Sequence, residues 1–139
     1  MKDMTKNFLK VYDMCQKEYN LPESTATDMM NFWKEGHQIS DRNAGCAILC
    51  LSSKMDLLDP EGKLHRGKTV EFAKEHGSDD ATAHKMVDIL HECDAASAPR
   101  EDQCMRALEI AMCFKTEIHK LNWAPDPELL LEELVAELN

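Results

Sequence analysis

The sequence predicts an all-α protein that forms one domain over residues 1–139, with a helical bundle over 1–125 and a tail over 126–139. Apolar residues recur at helical spacing along the chain, whereas strand-like alternation is nowhere sustained. The helices that carry the six cysteines hold one or two each, which is typical of bridges between helices. A chain of 139 residues is also long enough to bury one core.

The first three predicted helices are separated by residues that break helices. The first covers about residues 2–20. Pro22 prevents it from continuing, because proline lacks a backbone N–H. The second covers about 23–35 and ends at Gly36, since glycine is common just past a helix C-terminus. The third covers about 41–57.

An irregular stretch, DLLDPEGKLHRGK, follows the third helix. It superficially resembles a calcium loop. If Gly62 were the loop glycine, however, Leu57 and Lys68 would occupy the first and twelfth ligand positions, and neither offers a side-chain oxygen. We therefore expect no calcium site here, and a short fourth helix over 68–76.

The fifth and sixth helices are each preceded by a short loop. Ser78 is expected to cap the fifth helix, which runs to about residue 95 with Asp79 and Asp80 at its positive end. The sixth helix is expected over about 101–120.

The tail, APDPELLLEELVAELN, has the pattern of an amphipathic seventh helix. Asp126 would cap it, and Pro127 would take its first helical position. Leucines and other apolar residues are interspersed with the four acidic residues Glu128, Glu132, Glu133 and Glu137. The tail could therefore stay hydrated while these acids are ionised.

The close pair of cysteines in GCAILC raises the question of what each thiol bonds to. On one helix face, Cys46 and Cys50 would have Cβ atoms about 5–6 Å apart, which is long for a direct bridge that needs about 3.5–4.5 Å. Neither a C-x2-C zinc knuckle nor a redox C-x-x-C is present. Each thiol is therefore expected to bond to another helix in a secreted protein; six reduced core cysteines in a cytosolic protein remain the alternative.

Charge and motifs exclude several classes of function. The formal net charge of −10 argues against nucleic acid and against adhesion to anionic membranes. No apolar run is long enough to span a bilayer, and no signal peptide is visible at the start. A nucleophile elbow, a phosphate loop and H-E-x-x-H are absent, so we expect no enzyme, no cofactor and no metal.

The cysteine spacing, with 30, 3, 42, 10 and 8 intervening residues, resembles that of insect odorant-binding proteins. The moth pheromone-binding branch is the most similar, through NFWKEGHQISDRNAGCAILC, DLLDPEGKLHRGKTVEFAKEHG, MVDILHEC and IAMCFKTEIHKLNWAPD. This resemblance implies a six-helix bundle around an internal apolar pocket. It also implies the bridges Cys15–Cys50, Cys46–Cys104 and Cys93–Cys113.

The resemblance further implies a carrier of long-chain apolar pheromones, namely alcohols, aldehydes and acetates. The ligand-binding positions that it indicates are Thr5, Phe8, Phe32, Trp33, Ile48, Ser52, Leu57, Leu64, Phe72, Leu90, Ala111, Phe114 and Ile118. Ser52 would donate a hydrogen bond to the polar end of the ligand. The nine methionines suit an adaptable cavity, although they would equally suit an ordinary core.

Release of the ligand at low pH is also implied by the resemblance. The expected switch consists of the histidines His65 and His91, near the pocket mouth, and the tail acids Asp126, Glu132 and Glu137. Acidification would protonate the histidines and neutralise part of the tail, whose leucines could then displace the ligand. Arg66 stands where many relatives carry a second histidine, and we expect it to hold the loop by a fixed salt bridge.

The expected setting is the sensillum lymph of antennae, where the secreted carrier would act as a monomer or a pH-dependent homodimer. Olfactory receptors or other neuronal membrane proteins would be its partners. Two alternatives remain: a general odorant or host-volatile carrier on the same scaffold, and a saposin-like lipid-binding protein, which is also helical, acidic and rich in cysteine.

Overall fold

The computed structural model describes residues 2–60, 63–75, 78–97 and 101–123, with side chains from residue 10 onward. These residues form six α-helices and no strand, as predicted. The helices are α1 (Lys2–Tyr19), α2 (Glu23–Met30), α3 (Arg42–Lys54), α4 (Arg66–Glu75), α5 (Asp80–Ala96) and α6 (Gln103–Lys120). The tail over 126–139 and its expected seventh helix lie outside the described residues.

The second helix is shorter than the 23–35 that the sequence predicts. It ends at Met30, and the side-chain amide of Asn31 donates to the carbonyl of Thr27 at 2.9 Å. Asparagine competes with helical backbone bonding in this way. Successive turns follow until Gly36, whose φ of +83° is a conformation that glycine adopts readily.

The caps of the next helices also differ in detail from the prediction. Asp79, rather than Ser78, caps α5, because its carboxylate accepts the N–H of Thr82 at 2.7 Å. The fourth helix begins at Arg66 instead of residue 68, because the carbonyl of His65 already accepts the N–H of Thr69 at 3.0 Å.

Helix α3 is the centre of the bundle and is joined to two other helices by disulfides. Cys15–Cys50 links it to α1, and Cys46–Cys104 links it to α6. A third bridge, Cys93–Cys113, joins α5 to α6. This is the pairing that the family resemblance implies. The two thiols of GCAILC therefore attach one helix to two different partners.

The contact between α3 and α6 is close enough to require a glycine. A Cβ placed on Gly45 would lie 1.9 Å from the carbonyl oxygen of Cys104 and 3.1 Å from the Cβ of Leu108. The adjoining Cys46 and Cys104 have Cα atoms only 4.4 Å apart. Gly45 thus allows two backbones to touch where the bridge forms.

Helix α4 packs on α5 through a small apolar cluster. Val70 of α4 packs with Ala83 and Val87 of α5. Arg66 forms an ion pair with Asp88, which is the fixed salt bridge expected of this arginine. Helix α5 is in turn joined to α6 by Cys93–Cys113, and residues of α3 to α6 line the cavity described next.

Candidate functional site

The bundle contains a partly open cavity of about 410 Å³. Its walls come from α2 to α6 and from the segments around residues 31–33 and 55–64. The lining is mostly apolar: Met29, Met30, Phe32, Trp33, Ile48, Leu49, Leu51, Met55, Leu57, Leu58, Leu64, Leu90, Ala107, Ile110, Ala111 and Phe114. A space of this size and polarity suits a small apolar molecule, since ligand pockets span about 300–1,000 Å³.

Most of the predicted ligand-binding residues lie in the wall of this cavity. They are Phe32, Trp33, Ile48, Ser52, Leu57, Leu64, Leu90, Ala111 and Phe114. The side chains of Thr5 and Phe8 lie outside the described residues. The wall thus gathers residues that are far apart in the chain.

Two predicted ligand-binding residues are placed elsewhere. Ile118 is buried with Ile89 and Cys93 in the apolar cluster between α5 and α6. It lies one helical turn beyond Phe114 on α6 and is not among the lining residues. Phe72 is half-buried on α4 and is not part of the cavity wall, whereas Thr69 of the same helix is.

Aromatic rings form one end of the cavity. The rings of Phe32 and Trp33 meet edge to face, with centroids 5.0 Å apart. Trp33 also meets Phe114 of α6 at 5.9 Å. Edge-to-face contacts of this kind stabilise a fixed arrangement of rings.

The irregular stretch between α3 and α4 is held in place across its base. Leu58 and Leu64 form an isolated antiparallel bridge, and both side chains face the cavity. The N–H of His65 donates to the carbonyl of Leu57 at 2.8 Å. Backbone pairing therefore places three leucines of a loop in the wall.

The wall also contains six polar residues: Ser52, Lys63, Thr69, Asp94, Gln103 and Arg106. The hydroxyl of Ser52 donates to the carbonyl of Ile48 at 2.9 Å, so its oxygen lone pairs remain available to accept a hydrogen bond. Elsewhere in the wall, Arg106 of α6 forms an ion pair with Asp94 of α5. About a quarter of each of these two side chains is exposed.

Sequence reasoning missed the methionines and the charged pair of this wall. Met29, Met30 and Met55 lie on it, although the composition alone did not distinguish a cavity from an ordinary core. Arg106 and Asp94 lie on different helices. Their pairing depends on how α5 packs against α6, and no local pattern signals it.

The predicted switch histidines flank the cavity without forming its wall. His65 is exposed, and its Nδ1 accepts the N–H of Lys68 at 3.1 Å, at the start of α4. His91 is half-buried, next to the lining residue Leu90; its Nε2 is buried and has no hydrogen-bond partner among the described residues. The tail acids Asp126, Glu132 and Glu137 lie outside the described residues.

No described group of three or more His, Cys, Asp and Glu side chains is placed to hold a metal ion. Within the described part of the chain, no helix is long and apolar enough to cross a membrane.

Comparison with known proteins gives a consistent result. The PBP/GOBP family matches residues 1–117. The chain is 50% identical over 138 residues to pheromone-binding protein 2 of Epiphyas postvittana, covering 99% of this chain and 84% of that protein. It is 33% identical over 137 residues to general odorant-binding protein 1 of Bombyx mori, again covering 99% and 84%.

A solved structure agrees with the fold as well as with the sequence. The crystal structure of Epiphyas postvittana pheromone binding protein 3 superposes with a TM-score of 0.77 at 52% identity. The match covers 84% of this chain and 99% of that one.

Proposed function

The chain belongs to the PBP/GOBP family, and on this premise we propose that it is a secreted carrier of long-chain apolar ligands of the pheromone type. Its relatives are binding proteins rather than enzymes, which confirms the prediction that the chain is not an enzyme. The observation that carries the proposal is the apolar cavity of about 410 Å³ inside a disulfide-linked bundle. The proposed setting is the sensillum lymph, with a receptor-bearing membrane as the destination.

The apolar wall would supply most of the affinity. Each methylene group that leaves water is worth about 0.8 kcal/mol, so a long hydrocarbon chain gains much from such a wall. The aromatic end at Trp33 and the loop leucines would enclose the chain. The lining methionines adapt their shape, because their side chains are unbranched and polarizable.

The polar end of the ligand is proposed to meet Ser52. Because this hydroxyl donates to Ile48, its free lone pairs favour a ligand that can donate, such as an alcohol. A carbonyl of an aldehyde or acetate could only accept, and would require the Ser52 hydroxyl to turn away from its helix. The pair formed by Arg106 and Asp94 offers a second polar contact in the same wall.

Replacing Ser52 with alanine tests this assignment. We expect affinity for C12–C16 alcohols to fall by about 2- to 12-fold, the equivalent of one net hydrogen bond, with little change for hydrocarbons of equal length. Displacement of a fluorescent apolar probe at pH 7 measures the affinity for alcohols and for hydrocarbons. Equal losses for the two ligand classes would remove Ser52 from the polar contact.

Acid release is proposed to begin at His65. A protonated imidazole has no lone pair to accept the N–H of Lys68, so the start of α4 would lose this bond as the pH falls. Lys68 also forms an ion pair with Asp56 at 3.1 Å. The Arg66–Asp88 pair should persist, because hydrogen bonding to Arg66 lowers the pKa of Asp88. Of these contacts of α4, only the one that needs a neutral imidazole is proposed to respond to acid.

The first experiment compares ligand binding at two pH values. Probe displacement by C10–C18 alcohols, aldehydes and acetates is expected at sub-micromolar concentration at pH 7 and to be much weaker at pH 5. Absence of displacement at either pH would contradict the carrier. Equal displacement at both would keep the carrier and reject acid release.

A truncated chain lacking residues 127–139 separates the proposed roles of the histidines and the tail. If tail leucines displace the ligand, the truncated protein should keep binding at pH 5. Loss of binding in the truncated protein would instead assign release to the bundle, with His65 and His91 as the groups to replace next.

A general odorant carrier is the second candidate, and the similarity to the general odorant-binding protein of Bombyx mori favours it. Adding short and cyclic volatiles to the displacement series distinguishes the two. A carrier of pheromone type should discriminate sharply by chain length, whereas a general carrier should also bind short or cyclic volatiles with comparable affinity.

A further inference from the structure

Lys115 is a lysine of α6 whose amine lies inside the protein. The residue is only 5% exposed, and its Nζ donates to the backbone carbonyl of His37 at 2.6 Å. Burial lowers the pKa of this amine, because a low-dielectric environment disfavours the charged form. Lysine is rarely buried in this way. A side chain that only filled space would be apolar.

His119 makes a parallel contact one helical turn further along α6. Its Nε2 lies 2.9 Å from the backbone carbonyl of Trp33. Since a carbonyl only accepts, Nε2 must carry the proton in this contact. Lys115 and His119 are four residues apart, as are Trp33 and His37, so two donors on one face of α6 meet two acceptors on one segment.

That segment is the run of turns over 31–37, and it carries part of the cavity wall. Phe32 and Trp33 both line the cavity. The indole of Trp33 also lies against the ring of His119, with centroids 6.3 Å apart. The far end of the segment is attached to α2, because the ring of His37 lies 3.3 Å from the carboxylate of Asp28.

We propose that Lys115 and His119 are positioning residues that hold the segment 31–37 against α6 and so determine the width of the cavity at Phe32 and Trp33. The two side chains act from behind the wall and do not line it. They satisfy the carbonyls of Trp33 and His37, which lie beyond the end of α2. Their effect on ligand choice rests on the proposed carrier function, whereas their effect on Trp33 does not.

The position of Trp33 can be measured without any ligand. Trp33 and Trp123 are the two tryptophans of the chain, and Trp123 is exposed. In a Trp123→Phe background, emission therefore reports on Trp33 alone. We expect Lys115→Met to move this emission to longer wavelength and to raise its quenching by iodide. Lys120→Met is the matched control, because Lys120 is an exposed lysine on the same helix.

The width of the cavity is measured by chain-length selectivity. One methylene more or less is worth about a fourfold change in affinity. If the aromatic wall moves by about the length of one methylene group, Lys115→Met should change the ratio of C12 to C16 alcohol affinities by about fourfold or more. Lys120→Met should leave this ratio unchanged. A uniform loss across all chain lengths would indicate general destabilisation and overturn the positioning role.

His119 provides an independent variant should Lys115→Met fail to fold. His119→Gln keeps an N–H donor near the position of Nε2, and His119→Leu removes it. The glutamine variant is expected to retain the Trp33 emission and the selectivity, while the leucine variant loses both. Identical behaviour of the two variants would overturn the proposal. If wild-type protein binds no ligand, the carrier function fails. The emission of Trp33 would still test whether Lys115 and His119 hold the segment 31–37 against α6.

Discussion

Replacing Gly45 with alanine is expected to destabilise the bundle by about 3 kcal/mol or more, at the upper end of what overpacking usually costs. The added Cβ would lie 1.9 Å from the carbonyl oxygen of Cys104 and 2.7 Å from its carbonyl carbon. Backbone atoms cannot turn aside as a side chain would. Helices α3 and α6 would have to separate at the point where Cys46 and Cys104 are bridged.

Two measurements detect this effect. The yield of refolded protein with all three disulfides should fall, and the midpoint of guanidinium unfolding should drop for whatever does fold. Gly67→Ala in α4 is the control, because its new Cβ would meet only the exposed side chain of His65, at 3.3 Å. Alanine is a better helix former than glycine, so this control should be neutral or slightly stabilising. Equal midpoints for the two variants would contradict the close contact.

Replacing Ala111 with phenylalanine is expected to fill part of the cavity and to abolish high-affinity binding. Ala111 is buried on α6 and forms part of the cavity wall. A phenyl ring at this position would take the room of about three to four methylene groups of the ligand. At about 0.8 kcal/mol each, this corresponds to a loss of roughly 60- to 200-fold in affinity for the longest ligands.

The control for Ala111→Phe is Ala81→Phe, which adds the same ring to an exposed position of α5 away from the cavity. Both variants should form three disulfides and keep a helical circular dichroism spectrum. Short ligands should lose less affinity than long ones in Ala111→Phe, because they need less room. Unchanged binding of C16 ligands would place the ligand outside this cavity.

The helical class and most helix positions could be predicted because they depend on local pattern. Apolar periodicity located all six helices, with boundaries within a few residues of those observed. The largest error was the end of α2, where the side chain of Asn31 bonds back to Thr27. A single side-chain hydrogen bond decides where this helix ends, and the spacing of apolar residues does not predict that bond.

The candidate site was predicted less completely. The family resemblance indicated residues that now lie in one wall, such as Ser52 and Phe114, but also Ile118, which belongs to the core behind it. Both Phe114 and Ile118 are apolar residues one turn apart on α6. Which of them reaches the cavity depends on where α5 crosses, and sequence spacing carries no information on that crossing.

By itself, the sequence determined that this protein is a helical bundle joined by disulfides, because periodicity and cysteine placement are properties of the chain alone. Only the tertiary structure decided that Gly45 lies against the backbone of Cys104, and that Lys115 and His119 reach the segment behind Trp33. These contacts join residues some sixty to ninety positions apart. They exist only because packing brings α3 and the segment before it against α6, and such long-range geometry follows from the whole core at once.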